Sequence, residues 1–415
     1  MRLPESLRSK RWHCPQLKRE MVPWPPGASL WLPGIPISDS QACNEESRRR
    51  WESLTRQKVV GVMILIDSHL DLSLNGLNWN RDLTRSTEEI RRSESHMPDF
   101  RRGHNTVAIP EMRQGEVAVC LATLLTHANS EGEGRIDFRN QEIACAMAQG
   151  QLAYYRILEE QGYFRQLYNR SQVEDHLRQW KASDGEGCPL GYILAMEGAD
   201  PVLSPARASW WWNQGLRVVG LCHFGVGVYS HGTGSEGGLT SRGPDMLKAL
   251  DEVGMVLDLT HLADQAFWEA LDLYKGAVLA SHNNCRALVP GCRQFSDEQI
   301  RAVLQRDGVI GVALDVWMLY PEFKEGITPN TVVSLEDVAE HIDHICQLAG
   351  NARHAAIGSD LDGEFGTEQT PHDVNTISDL QKLPPILSRR GYSPKDIEGI
   401  MNGNWLRFFQ RALPV

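Results

Sequence analysis

The strongest constraint on this chain is a rhythm that begins at residue 63. Short apolar runs rich in β-branched residues recur eight times: MILIDS (63–68), VAVCLATLL (117–125), GYILAME (191–197), LRVVGLCH (216–223), GMVLDLTH (254–261), AVLASH (277–282), GVIGVAL (308–314) and AAIGSDLD (355–362). Helix signals lie between most of them. SDEQIRAVLQRDG opens on Ser296 with Gln299 three residues later, a capping-box pattern, and closes on Gly308. SLEDVAEHIDHICQLAG runs from Ser334 to Gly350 in the same style. Continuous apolar strands alternating with helices indicate a parallel sheet covered on its outer face. Eight such units in roughly 350 residues predict an α/β fold, a (β/α)8 barrel. An open doubly wound sheet is the alternative, but no GxGxxG follows an early strand.

Charge at the strand ends narrows the function. A buried strand avoids unpaired charge, because an ionised carboxylate out of water costs several kcal/mol. Yet MILIDSHLDLS (63–73) carries His69 and Asp71, two apart and so on one side of an extended chain. Alone, the pair reads equally as a hydrogen-bonded strand cap or as half of a metal site. The other runs tip the balance. The third ends in Glu197, the fourth in His223, the fifth in His261, the sixth in His282 and the eighth in Asp360. All lie at the C-terminal ends of their strands, the face on which barrel enzymes place catalytic residues. Zinc takes imidazole nitrogen and carboxylate oxygen, and two divalent ions held close together need a bridging anion. Glu197, the only carboxylate at its strand end, fits that bridge. His69 and Asp71 would hold one ion, His261 and His282 the other. Two zinc ions, or other divalent metals, are expected per chain.

The motifs DSHLDLS, AMEGAD, LDLTH, LASHNNCRAL and IGSDLDG, in this order, resemble the membrane (renal) dipeptidase family, peptidase family M19 of the amidohydrolase superfamily. The resemblance covers residues 63 to about 410. It implies the same binuclear zinc site, and hydrolysis of a dipeptide or similar small amide by metal-activated hydroxide. It further implies that His223 meets the substrate and polarises the scissile carbonyl. Arg293, in GCRQFSDEQ, would clamp the terminal carboxylate, and Asp360 would be the acid/base. Asp362, two residues on, would then be structural. The chain departs from the family in two places. Leu70 stands where Asn is common, at a position that holds no metal. VALDVWMLYPE has no Tyr at the place where mammalian-type members use one after strand seven to bind substrate. That departure bears on the substrate more than on the reaction. The alternatives on the same barrel are hydrolysis of an N-acyl amino acid, a lactone or a phosphoester, and Arg293 weighs against the last. A non-catalytic metal-binding relative would be expected to have lost a ligand or Asp360.

Composition removes other classes. With 41% hydrophobic and 23% charged residues the chain is of the soluble globular type. No apolar run approaches the roughly 20 residues that span a bilayer, so no membrane anchor is expected. A net charge of −11 leaves no nucleic-acid footprint. Nine cysteines without a CxxC pair point to reduced core thiols. The start of the chain lacks the apolar stretch of a signal peptide, so a cytoplasmic location is expected. Residues 1–62 hold seven of the 21 prolines and four of the 12 tryptophans without a sustained period. They are expected to form an irregular, loosely attached extension to a 63–415 hydrolase domain, with Met63 as an alternative start. The expected partner is a small dipeptide or amide, and a homo-oligomer is compatible with the sequence. SHGTGSEGGLTSRG (230–243) lacks a Walker lysine and is expected to be a mobile loop over the site. SWWWNQG (209–215) reads as core packing or an oligomer contact. His341 and His344 are expected to be solvated helix residues, His127 a loop contact, and His96, His104 and His372 carry no assignment.

Overall fold

In the computed structural model, which describes residues 62–99, 101–132 and 134–415, all eight apolar runs form strands. They are β1 (Leu65–Leu70), β2 (Val117–Leu125), β3 (Leu190–Glu197), β4 (Leu216–Gly220), β5 (Val256–Asp258), β6 (Val278–Leu279), β7 (Ile310–Val312) and β8 (Ala355–Ile357). The first six pair in chain order, all parallel. β7 and β8 form a second parallel pair. A parallel bridge between Ala280 and Ile310 joins the two sets. The circle closes from β8 to β1 through side chains: the Ser359 amide donates to Asp67 (2.9 Å) and the Ser68 hydroxyl to the Ile357 carbonyl (3.1 Å). This is the curled parallel sheet of a (β/α)8 barrel. The expected extension, Val62 apart, lies outside the described residues.

The last four strands are shorter than their apolar runs. At this level the barrel is tight, and backbones meet where side chains would otherwise pack. A Cβ on Gly311 or Gly358 would collide with the Ser281 carbonyl and the Ser68 hydroxyl. Both glycines therefore allow a close approach that any larger residue would forbid. Every residue of β1, β2 and β3 is buried, as continuous apolar runs require.

The covering helices start where their caps predict. Ser296 and Gln299 form the reciprocal capping box of helix Asp297–Gln305, and Ser334 with Asp337 caps Leu335–Ala349, which ends on a left-handed Gly350. The first of these helices does not close on Gly308. The left-handed residue is Asp307, while Gly308 serves a close contact with the Val278 carbonyl. The C-terminal helix Asn404–Ala412 ties itself to β8. Trp405 Nε1 donates to the Ile357 carbonyl (2.9 Å), and Asn404 donates to the Ala355 carbonyl (2.8 Å).

Two local expectations need correction. His341 is not solvated: it is 1% exposed, and its Nδ1 accepts the Cys285 amide at 3.0 Å. Its helix face packs on the barrel, so the residue ties the loop after β6 to the covering layer. His344 is partly exposed and pairs with Asp297. The segment 230–243 is pinned rather than open. Bridges join Ser230 to Leu239 and Gly232 to Leu262, and Thr233 N donates to the His223 carbonyl (3.0 Å). Trp211 of the tryptophan run is core, and Trp212 lies under the Arg217 guanidinium at 3.8 Å. Six of the seven cysteines among the described residues are buried thiols, Cys292 being exposed. No helix among the described residues is long and apolar enough to cross a membrane.

Candidate metal centre

The C-terminal strand ends converge on Glu197, the last residue of β3. Its two oxygens face opposite ways. Oε2 lies 3.3 Å from His69 Nε2; Oε1 lies 3.0 Å from His261 Nε2 and 3.3 Å from His282 Nε2. Those two imidazole nitrogens are themselves 3.1 Å apart. On the far side, His69 Nε2 is 3.8 Å from Asp71 Oδ1 and 3.7 Å from Asp360 Oδ1. Three groups of donors could hold a metal ion: His69–Glu197–His282, Glu197–His223–His261 and His69–Asp71–Asp360. The seven residues singled out as strand-end chemistry thus meet in one place, from six strands.

Donor spacing agrees with what a divalent ion asks. Ligands bonded at 2.0–2.1 Å in a tetrahedron stand about 3.3 Å from one another. The separations between Glu197 Oε1, His261 Nε2 and His282 Nε2 are 3.0–3.3 Å. His69 Nε2 is buried yet makes no well-aligned hydrogen bond, an orphan that a metal ion would satisfy. The other ring nitrogens are already engaged. Thr233 Oγ1 meets His261 Nδ1 at 3.0 Å, and Ser281 Oγ meets His282 Nδ1 at 2.9 Å. Such partners fix ring orientation and leave Nε2 free for the centre. Thr123 Oγ1 does the same for Asp71. The chain also bends to aim two of these side chains, since His261 and Asp360 both have positive φ, 68° and 59°. Non-glycine residues there cost energy and gather at functional sites.

Electrostatics sort the donors. Burial pushes His261 and His282 well below the usual imidazole value, with Arg293 adding to it, so both stay neutral with a lone pair to give. Burial lowers His223 as well, against the pull of Glu197. Burial would also lower His69, but the charges of Glu197 and Asp71 hold it well above its ordinary value. Glu197 is held well below the carboxylate range, its burial outweighed by His69, His223 and the two hydrogen-bonded imidazoles. Burial raises Asp360 well above that range, Glu197 and Asp71 adding to it against His69 and Arg293. Two imidazoles with lone pairs to give, an acidic Glu197, an Asp360 of raised proton affinity and a His69 held up by the carboxylates beside it therefore meet at one site.

The remaining expected residues fall around this cluster. His223 Nε2 stands 3.8 Å from Glu197 Oε1, farther than the other imidazoles but still within the donor group. Arg293 is 3% exposed; Nη2 donates to the His282 carbonyl at 2.9 Å, and Nη1 is buried with no hydrogen-bond partner. Asp362 points away from the cluster. It accepts the Thr106 and Val107 amides at 2.6 and 2.9 Å and the Thr106 hydroxyl at 2.8 Å. Two further groups stand past strand ends: His127, expected as a loop contact, and Asp315, which the sequence reading passed over. His127, just past β2, has Asp137 Oδ1 at 2.7 Å and Asp200 Oδ2 at 3.4 Å, one on each ring nitrogen. Asp315, just past β7, is 7% exposed. The signal was the same as elsewhere, an ionisable residue directly after an apolar run.

Comparisons with known proteins agree with this architecture. A family profile described as membrane dipeptidase (peptidase family M19) matches residues 55–414. A Klebsiella pneumoniae protein of the pqqA 5′ region is 30% identical over 245 residues, 56% of this chain and 87% of its own length. Dipeptidase tcpJ of Claviceps purpurea is 30% identical over 205 residues, 48% of this chain and 45% of the fungal protein. The matched part of the chain thus spans most of the bacterial relative but only about half the length of the fungal one. Among solved structures, a metallo peptidase from Rhodobacter sphaeroides, liganded with a phosphinate mimic of the dipeptide L-Ala-D-Ala, superposes with a TM-score of 0.68. It is 20% identical, over 85% of this chain and 99% of its own. Dipeptidase AC, a metallo peptidase, gives a TM-score of 0.70 at 20% identity, over 85% of this chain and 100% of its own.

Proposed function

We propose, for a chain that belongs to the membrane dipeptidase family, peptidase family M19, that it is a binuclear metal-dependent hydrolase cleaving the peptide bond of dipeptides with a free carboxyl terminus. The observation that carries this reading is Glu197 with His69 at one carboxylate oxygen and His261 and His282 at the other. A carboxylate that bridges two ions would present one oxygen to each in this way. His69 and Asp71 would hold one ion, His261 and His282 the other, with zinc as the metal that suits the donor set. Bound divalent ions supply an acidified water and a Lewis acid for the carbonyl.

The chain's own groups do the rest. Arg293 offers its unpartnered Nη1 to the terminal carboxylate and so orients the bond. His223 donates from Nε2 to the carbonyl oxygen as negative charge builds on it. Asp360 takes the proton of the attacking water and returns it to the leaving amine, a role that its raised proton affinity favours. The liganding described for the Rhodobacter sphaeroides structure supports a substrate of this size.

The test is a hydrolysis panel of L,L- and L,D-dipeptides with N-acyl amino acids and lactones as controls, run with metal content measured on the same sample. Two divalent ions per chain and cleavage confined to dipeptides are expected. Turnover only of lactones or N-acyl amino acids would replace the substrate while keeping the metal centre. Activity undiminished after complete chelation would remove the mechanism.

A further inference from the structure

Phe224 is the one exposed phenylalanine among the described residues, with 45% of its surface open to solvent. It follows His223 directly, past the end of β4. Its ring stands edge-on to two imidazoles of the centre, with centroid distances of 4.9 Å to His223 and 5.2 Å to His261. Val226, on the same turn, is 53% exposed. Two apolar side chains thus face solvent beside a cluster of imidazoles and carboxylates.

The turn that carries them is fixed by its own backbone. The Gly225 amide donates to the Thr233 carbonyl (2.8 Å), the Gly232 amide to the Gly225 carbonyl (2.7 Å), and the Thr233 amide to the His223 carbonyl (3.0 Å). Asp200 accepts the Val228 amide at 2.8 Å. A Cβ at Gly232 would collide with the His223 carbonyl, so the two limbs of the loop touch. A ring held in this way is an apolar wall already in place before anything binds, and binding against it loses little ordering entropy.

The contacts also tell which end of a substrate this wall meets. His223, His261 and His282 lie on the Oε1 side of Glu197, at 3.8, 3.0 and 3.3 Å. Arg293 belongs to the same side, since Nη2 donates to the His282 carbonyl while Nη1 has no partner. His69 lies at Oε2, with Asp71 next to it. Phe224 therefore packs on the imidazoles of the arginine's side. We infer that Phe224 determines specificity: its ring packs against an apolar side chain on the carboxyl-terminal residue of the substrate, with Val226 as a second wall. The inference rests on the proposed role of Arg293. It assigns the chain a preference for dipeptides ending in a large apolar residue.

The experiment compares alanyl-leucine with alanyl-asparagine, which match in shape and differ in polarity, and takes alanyl-alanine as the reference. Each is offered with its second residue in L and in D form, and the faster series is scored. Wild type should favour leucine over asparagine in kcat/KM by about tenfold or more. Phe224→Ala should bring that ratio close to one, chiefly by slowing the leucine dipeptide. Phe224→Leu restores an apolar wall and should recover most of the preference. Melting curves and metal content show that the centre survives in both variants. Calorimetric binding of free leucine and asparagine is measured on the same three proteins. A wild type that cleaves dipeptides without this preference overturns the inference. So does an equal loss on all three dipeptides, which would make Phe224 a support for His223 and His261. Leucine-selective binding that Phe224→Ala removes, without dipeptide hydrolysis, would instead sink the dipeptidase reading and leave this one standing. Neither hydrolysis nor selective binding would overturn both.

Discussion

Arg293→Lys isolates the recognition of a terminal carboxylate from the metal centre. The guanidinium already spends one nitrogen on the His282 carbonyl, at 2.9 Å, and keeps Nη1 free. Lysine has one charged centre and cannot hold that carbonyl while also reaching a ligand. The change therefore removes one charge-assisted hydrogen bond and leaves the positive charge in place. Such a bond is worth about 1.5–3 kcal/mol, and truncated buried charge pairs lose about 2–5 kcal/mol. Because the charge survives, the stretch common to both ranges applies. A loss of about 2–3 kcal/mol is roughly 30- to 150-fold in kcat/KM. The assay sets a dipeptide against its C-terminal amide, which offers no carboxylate. The dipeptide should lose that factor while the amide, slow from the start, barely changes. Metal content should stay at the wild-type level. If both substrates fall together, Arg293 supports the His282 loop and does not read the carboxylate, and the reasoning fails.

Glu197→Gln keeps the shape of the bridge and removes its charge, so metal content should fall to one ion or fewer per chain, with turnover lost far more than thermal stability; two tightly held ions in the variant would refute the bridge. Asp360→Asn should keep its metal yet lose about 10²–10⁴-fold in kcat, checked by single-turnover rates alongside metal analysis. Gly358→Ala forces a Cβ against the Ser281 carbonyl; overpacking of this kind costs about 1–3 kcal/mol, and the melting temperature and activity should drop together. Burial, helped by His344, pushes His341 down from 6.5 to about 3. The unfolded chain then takes a proton that the folded one refuses, so this group's contribution is lost as pH falls from 6.5 towards 3. His341→Asn keeps an acceptor for the Cys285 amide but cannot titrate. Urea midpoints at pH 7 and pH 5 should converge in the variant relative to wild type.

The candidate metal ligands could be picked out from the chain itself because each sits directly behind an apolar run. Strand periodicity and the aversion of charge to burial are local properties, written in adjacent residues. His69, Asp71, Glu197, His261 and His282 announce themselves this way, and so do the capping boxes at Ser296 and Ser334. Asp315 carried the same signal, and His127 a similar one past Thr126. What adjacency cannot express is which distant groups a closed barrel brings together. Glu197 meets His69 across β1–β2–β3 pairing, and Thr233 finds His261, 28 positions further along the chain. His341 looks like any helix-surface histidine until its face is packed against Cys285. Arg293, eleven residues beyond His282, could stand anywhere on a loop until its guanidinium folds back onto that residue's carbonyl. Those relations depend on strand register and barrel closure, and the closure itself rests on glycines at 311 and 358 that let backbones touch. Local chemistry selected the donors, and tertiary geometry decided which atoms face one another.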